Sequence, residues 1–391
     1  MKNKGLKILL SVLLVLCIIM AGALIGKEYI GDNIKEASNR NGVDVVRDTS
    51  DTGKEDENAV DSTAEGTAST QSDAAKAEAT EADKQQPQMS TIVITATGDC
   101  TLGNNQEQSY DGSFNSYYDS KGQDYFFGGV RDIFEADDMT LINLECVLSD
   151  ATERVEKRWN LKGKPSYIGI MTGSSIEACS LGNNHTYDYG QQGLDDTRNV
   201  LDNAGIVYGF NDHTGIYETA DGTRIGIVSV SLLSQNGDRE AYIQNGIAQL
   251  REQGAAIVIA CCHWGIEGDH YPNDYQQVVG NHPHVLQGME VYNGKMICYS
   301  LGNFCFGGNK NPADKNTAIY QQAFTLINGE LQPGIDARII PCTLSSVSSY
   351  NDFRPTVASG EKAQEICNLM NTYSQNCSNI EIDELGNLHV N

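Results

Sequence analysis

The chain carries a succession of short apolar runs, each ending abruptly in residues that bind metals or move protons. Nothing else in it constrains the fold as much. Residues 91–97 (TIVITAT) read as a strand that stops at Gly98-Asp99, and residues 139–143 (MTLIN) as a second that stops at Leu144-Glu145. Residues 176–181 form a third, followed by Gly182-Asn183-Asn184-His185. Then Leu194, Thr197, Val200, Leu201 and Ala204 recur at helical spacing, and Gly205 closes that helix. Residues 224–232 are strand-like again, and the wholly apolar run 255–262 delivers His263-Trp264-Gly265. Strands alternating with helices predict an α/β fold with a largely buried sheet. Ligands in such folds gather at the carboxyl ends of the strands.

The candidate ligands fall at those ends: Asp99, Glu145, Asn184 with His185, His263, and finally His282 with His284. The last pair sits one residue apart on a proline turn, ahead of a strand-like run at 295–301. An H-x-H pair in extended chain points both imidazoles to one side, because side chains alternate. Alone, each residue has an ordinary reading: Asp99 as a turn cap, Glu145 as a solvated strand end, Asn183 and Asn184 as turn formers, His185 as a cap, His263 as a satisfied core histidine. Their arrival together at successive strand ends favours a two-metal site. Such a site needs one carboxylate bridging two ions roughly 3.5–4 Å apart, with amide and imidazole groups completing the shells. Neutral imidazole suits a pair of Mn, Fe or Zn ions.

At 391 residues the chain has room for a sizeable core, and its net charge of -25 excludes broad attraction to nucleic acid. The eleven cysteines include no C-x-x-C pair, and Cys179, Cys261, Cys262 and Cys298 read as small buried hydrophobes. Lys2, Lys4 and Lys7 precede an uncharged run from Ile8 to Gly26. As a helix that run spans roughly 28 Å, close to the hydrocarbon thickness of a bilayer. Residues 1–31 are therefore read as a single-pass signal anchor in the cell membrane, with cleavage after Ala23 as the alternative and the rest of the chain extracytoplasmic. Residues 32–90, mostly Ala, Ser, Thr, Asp, Glu and Gln, read as a disordered acidic linker. The main domain then covers 91–345. Residues 346–391 form an extension packing on it, with a helix at 359–373 and two short strands around Leu385-Gly386.

GDCTLGNN (98–105), NLECVLSD (143–150), LGNNHTYDYG (181–190), CCHWGIE (261–267) and NHPHVLQG (281–288) resemble the successive motifs of the CapA family. These are poly-γ-glutamate capsule synthesis proteins similar to the calcineurin-like metallophosphoesterases. The resemblance implies a four-layer α/β/β/α sandwich and a part in making, exporting or anchoring a polyglutamate-like surface polymer beside membrane-embedded synthase or export subunits. It also implies Asp99, Glu145 (bridging), Asn184, His263, His282 and His284 as metal ligands, His185 as general acid or stabiliser, and Asp188 as its orienting partner. Three classes of function follow: a metal-dependent hydrolase, a non-catalytic polymer-binding subunit, or a structural relic of a two-metal site. The chain departs from the family pattern in three places. Asn104 or Asn105 replaces an arginine. The D-x-H pair of true metallophosphoesterases is missing, since Cys100 and Thr101 follow Asp99, which leaves one metal shell a ligand short. The segment between His263 and His282 is short for a crossover helix, which predicts either another route for the histidine pair or a distorted site.

A basic loop, Arg154, Lys157, Arg158, Lys162 and Lys164 around Trp159, is the candidate polymer-binding patch in an otherwise acidic chain. His213 and His270 read as ordinary loop histidines. The echo of Ser180-Leu181-Gly182-Asn183 in Ser300-Leu301-Gly302-Asn303 suggests two similar strand-end turns.

Overall fold

The structure, a computed structural model, describes residues 87–390 except 212, 234–237, 272–278 and 376–378. The expected membrane anchor and nearly all of the acidic linker lie outside the described residues. Among those residues no helix is long and apolar enough to cross a membrane.

The long strand β1 (Met89–Thr101) is the spine of a nine-stranded mixed sheet. On one side β2 (Met139–Leu144), β3 (Ala178–Ser180) and β4 (Val207–Gly209) follow in parallel. A second, four-stranded sheet holds β5 (Gly215–Glu218), β6 (Arg224–Ser231), β7 (Ile257–His263) and β8 (Val279–Asn281), the last three parallel. The short β9 (Asn303–Phe306) returns to pair with the end of β1. β10 (Asn316–Ile327), β11 (Asp336–Thr343) and β12 (Thr356–Val357) then extend the large sheet antiparallel on its other side. The α/β reading of the sequence holds.

Alternation along the strands explains the layers. In β2, Met139 and Leu141 turn toward the four-stranded sheet and pack with Ile225, Ile227 and Ile257. Ile142 and Leu144 turn the other way, into a cluster with Phe114, Tyr167, Leu194 and Leu201. Both faces are covered, so every residue of β2 is buried, each large side chain contributing roughly 1.5–3 kcal/mol. Helix α1 (Gly190–Ala204) sits on that second face, and Gly205 ends it in the left-handed conformation at φ 72°, capping the Leu201 and Asp202 carbonyls. Helix α2 (Arg239–Glu252) packs on β6 and β7, where Leu250 meets Val228 and Ala255. All nine described cysteines are reduced and buried, as their apolar surroundings imply.

The residues after 345 are woven into this core. Phe353 is fully buried in the main cluster and β12 joins the large sheet. Helix α3 (Glu361–Ser374) buries Ile366 and Met370 against Ile339 and Met289. The final hairpin pairs Ile380–Ile382 with Leu388–Val390.

Candidate metal centre

Asp99 lies where β1 meets β9, with its backbone N–H donating to the Gly302 carbonyl at 2.9 Å. A Cβ on Gly98 would stand 1.8 Å from that same carbonyl oxygen, so only glycine permits the approach. The Asn143 amide donates to Asp99 Oδ1 at 2.8 Å and fixes the carboxylate. Glu145, just past β2, is fully buried, and neither of its carboxylate oxygens accepts a hydrogen bond. Three imidazoles face Oε1 instead: His263 Nε2 at 3.5 Å, His284 Nε2 at 3.8 Å and His185 Nε2 at 4.0 Å.

His263 ends β7, and the parallel pairing of β7 with β8 sets it opposite Asn281, one residue before His282. The short segment after His263 therefore still delivers the histidine pair to the cluster. The pair itself is not extended, contrary to the alternation argument. His282 and His284 have φ of 104° and 59°, so His-Pro-His is a bend. Positive φ costs a non-glycine residue about 1–3 kcal/mol and persists where surrounding contacts enforce it. Here the contacts are visible. The His282 N–H donates to Asp99 Oδ2 at 3.3 Å, and its ring tilts toward His263 with centroids 4.8 Å apart. His284 Nδ1 lies 3.0 Å from Asp99 Oδ2 and 2.9 Å from Asn303 Oδ1. The bend sends the two rings to different neighbours.

Two donor sets result, and Glu145 belongs to both. Ligand atoms of Asp99, Glu145 and His284 lie within 4.8 Å of one another, as do those of Glu145, His263 and His282. Asn184 joins the second set through its Oδ1, 2.8 Å from His263 Nε2. Burial, and next the Asp99 charge, lift the Glu145 carboxyl well above the ordinary carboxylate range. Burial, then the charges of His282 and His284, hold His263 well below the usual imidazole value. His282 is held down at about 4 by burial and then by His284. Burial pulls His284 down as well, but Glu145 and then Asp99 outweigh it and push it up to about 10. A buried Glu145 carboxyl that accepts no hydrogen bond, an unpartnered His282 Nδ1 and a His263 ring held neutral offer lone pairs to a cation. That donor set fits divalent transition metals.

A family model described as "Bacterial capsule synthesis protein PGA_cap" matches residues 93–308, which take in all of these side chains. The chain belongs to that family. Two curated relatives are the "PGA biosynthesis protein CapA" of Bacillus subtilis (strain 168), 31% identical over 223 residues, and the "Capsule biosynthesis protein CapA" of Bacillus anthracis, 26% identical over 261 residues. The alignments cover 48% and 55% of this chain, and 58% and 60% of the relatives' own lengths. Solved structures that resemble it include a hypothetical protein from Thermus thermophilus (13% identity, TM-score 0.40, 64% of this chain and 99% of that one). Another is a novel phosphatase from Mycoplasma pneumoniae (11% identity, TM-score 0.38, 68% and 96%). Structural likenesses this loose say nothing about activity.

In this PGA_cap member His185 stands at the edge of the donor sets. Its Nδ1 meets Asp188 Oδ2 at 2.7 Å, which leaves Nε2 toward Glu145. Burial holds His185 below the usual imidazole value, an effect that the Asp188 bond only partly offsets. Asp188 is buried, ion-paired with Lys157, and also accepts the Leu161 N–H at 2.5 Å. The basic loop is not the single patch its sequence suggests. Lys157 turns inward to Asp188, Arg154 pairs with Glu107 at 2.7 Å and Lys164 with Asp119 at 3.6 Å. Lys162 reaches the Ala151 carbonyl and lies over the Tyr189 ring. Only Arg158, stacked on Trp159 at 4.6 Å, lines the main cavity. That cavity, about 790 Å³, runs from His185, His284 and Glu267 out to Lys310 and Asp314. Asn105, one of the two asparagines in place of the family's arginine, lines it too.

Three site residues escape sequence reasoning. Asn143 sits inside the apolar run of β2. Asn303 donates to the His284 carbonyl at 3.2 Å while its Oδ1 meets the ring. Glu267, two residues past Gly265, has its carboxylate within 4.8 Å of His282 and His284. The repeated S-L-G-N was a usable signal, because both copies lie at the cluster, although the first ends β3 and the second leads into β9. Asn183 donates to Asn143 at 3.2 Å and to the Leu144 carbonyl at 2.9 Å, as Asn303 does to His284. His213 stacks on Tyr208 and His270 on Tyr373, away from the cluster.

Proposed function

We propose that this chain acts in the synthesis, export or anchoring of a poly-γ-glutamate-type capsule polymer, through a two-metal hydrolytic or transfer site. The observation that carries the reading is the buried Glu145 carboxylate, unpartnered by any hydrogen bond and ringed by His185, His263 and His284. A buried carboxylate without a partner is costly, and a shared cation is the simplest way to satisfy it. Asp99 with His284 would hold one ion and His263, His282 and Asn184 the other, with Glu145 between them. The α/β/β/α sandwich of the metallophosphoesterase type, implied by the motifs, is the scaffold for such a pair. Bound metals supply Lewis acidity at the reacting carbonyl or phosphoryl oxygen.

The chain's own residues do the remaining work. Asn143 and the His282 N–H hold Asp99 still, and Asn303 holds His284. Asp188 orients His185 so that Nε2 faces the reacting group, as donor or acceptor of its proton. Arg158, Trp159 and Lys310 line the approach and suit an anionic chain. The N-terminal run is the proposed membrane anchor, which sets the domain outside the cell beside synthase or export subunits. A second reading, a polymer-binding subunit without turnover, draws on that cavity alone.

Cells lacking the chain separate the two readings when wild type or His185→Ala is returned and surface polymer is measured. Hydrolytic or transfer chemistry expects His185→Ala to lose polymer processing by at least 10²-fold while metal content stays at the wild-type level. Full restoration by His185→Ala would leave the polymer-binding reading in its place.

A further inference from the structure

The Asp99 set offers three donors, and the D-x-H histidine that would supply another is missing from this sequence. Glu267 is exposed at the mouth of the cluster, beside one histidine from each donor set. Its carboxylate lies within 4.8 Å of ligand atoms of both His282 and His284, and it lines the cavity that reaches the cluster. It makes no hydrogen bond or ion pair with a described residue.

Its position is built rather than incidental. Gly265 and Gly268, at φ 91° and 79°, turn the chain sharply on either side of it. The Gly268 N–H then donates to the Pro283 carbonyl at 2.8 Å, and the Asp269 N–H to Ile266 at 3.1 Å. The first of these bonds joins the Glu267 turn to the His-Pro-His bend and holds the carboxylate beside the two imidazoles. A third carboxylate beside Asp99 and Glu145, in a chain of net charge -25, is repulsive unless a cation lies among them. Two buried, unpartnered groups also point to a cation: both oxygens of Glu145 and Nδ1 of His282. A free carboxylate at the mouth would repel an anionic substrate, whereas one bound to a metal would not.

Resting on the two-metal reading above, we propose that Glu267 is a third carboxylate ligand. It adds an oxygen donor beside His282 and His284, on the solvent side of the two donor sets. It replaces with an oxygen donor the histidine absent after Asp99.

Calorimetric titration of the metal-free full-length chain with Mn²⁺ and with Zn²⁺ tests this. Wild type is expected to take up two ions, Glu267→Gln to lose one or bind it at least 10-fold more weakly, and Glu267→Asp to fall between them. Glu267 is exposed, so the thermal midpoint of metal-free Glu267→Gln should match that of wild type and certify its fold. Two ions bound by Glu267→Gln with wild-type affinity would overturn Glu267 as a ligand and leave the two-metal reading standing. No uptake by wild type would overturn both.

Discussion

Glu145 concentrates the chemistry in one side chain. Without a cation its buried carboxylate is a liability, costing on the order of 1–3 kcal/mol for the missing hydrogen bonds. Glu145→Gln is therefore expected to raise the thermal midpoint of the metal-free chain, by several degrees. With Mn²⁺ or Zn²⁺ added the order should invert, because the wild type alone gains binding energy from the bridging carboxylate. Scanning calorimetry with and without chelator reads both midpoints; a variant that melts lower in both conditions would show the carboxylate to be satisfied without metal. Glu145, Asp99, His185 and His263 were legible because each follows an apolar run, and the end of a buried strand leaves few roles for a charged side chain; His282 and His284 were legible as an H-x-H pair on a proline turn. Glu267 was not, since an exposed glutamate in a glycine-flanked turn looks like any solvated loop residue. The basic loop misled for a related reason. Its partners Glu107, Asp119 and Asp188 are remote in sequence, and only folding shows that most of its charge is already answered.

At the scale of elements, strand identity came from apolar content and strand direction from where the ligands gather. The His-Pro-His bend could not be read that way. Its positive φ values come from Asp99 and His263, which stand on other strands. The far end of the same strands carries a different constraint. Asp137, just before β2, accepts from the Thr140 hydroxyl at 2.7 Å beside Asp138 and Glu177, which accept the Val93 and Thr140 N–H groups. Burial, against the pull of the Thr95 and Thr140 hydroxyls, raises its carboxyl from 3.8 to about 7. The folded state thus holds a proton that the unfolded chain has released, and stability falls as pH rises from about 4 to about 7. Asp137→Asn removes this slope: its midpoint should exceed the wild type's at pH 8 and match it at pH 4. An equal difference at both pH values would mean that the substitution acts through packing.

Across the whole molecule, chain order and spatial order differ in one instructive way. Residues after 345 read as an appendage because their composition changes, yet Phe353 completes the main cluster and β12 extends the large sheet. An extension that closes a core cannot be told from one that lies on it without knowing which surface is left open. The proposed function requires an acidic chain to handle an acidic polymer. Metals at the carboxyl ends of the strands would reverse the local sign of the field, and Arg158 and Lys310 line the way in.

The most direct test of a shared two-metal centre is the metal content of the purified full-length chain beside a variant carrying His282→Ala and His284→Ala. These two side chains serve different donor sets, so the account expects close to two transition-metal ions per wild-type chain. In the double variant both sites should be emptied or nearly so. Equal metal content in the two proteins, or none in wild type after reconstitution with Mn²⁺ or Zn²⁺, would contradict it.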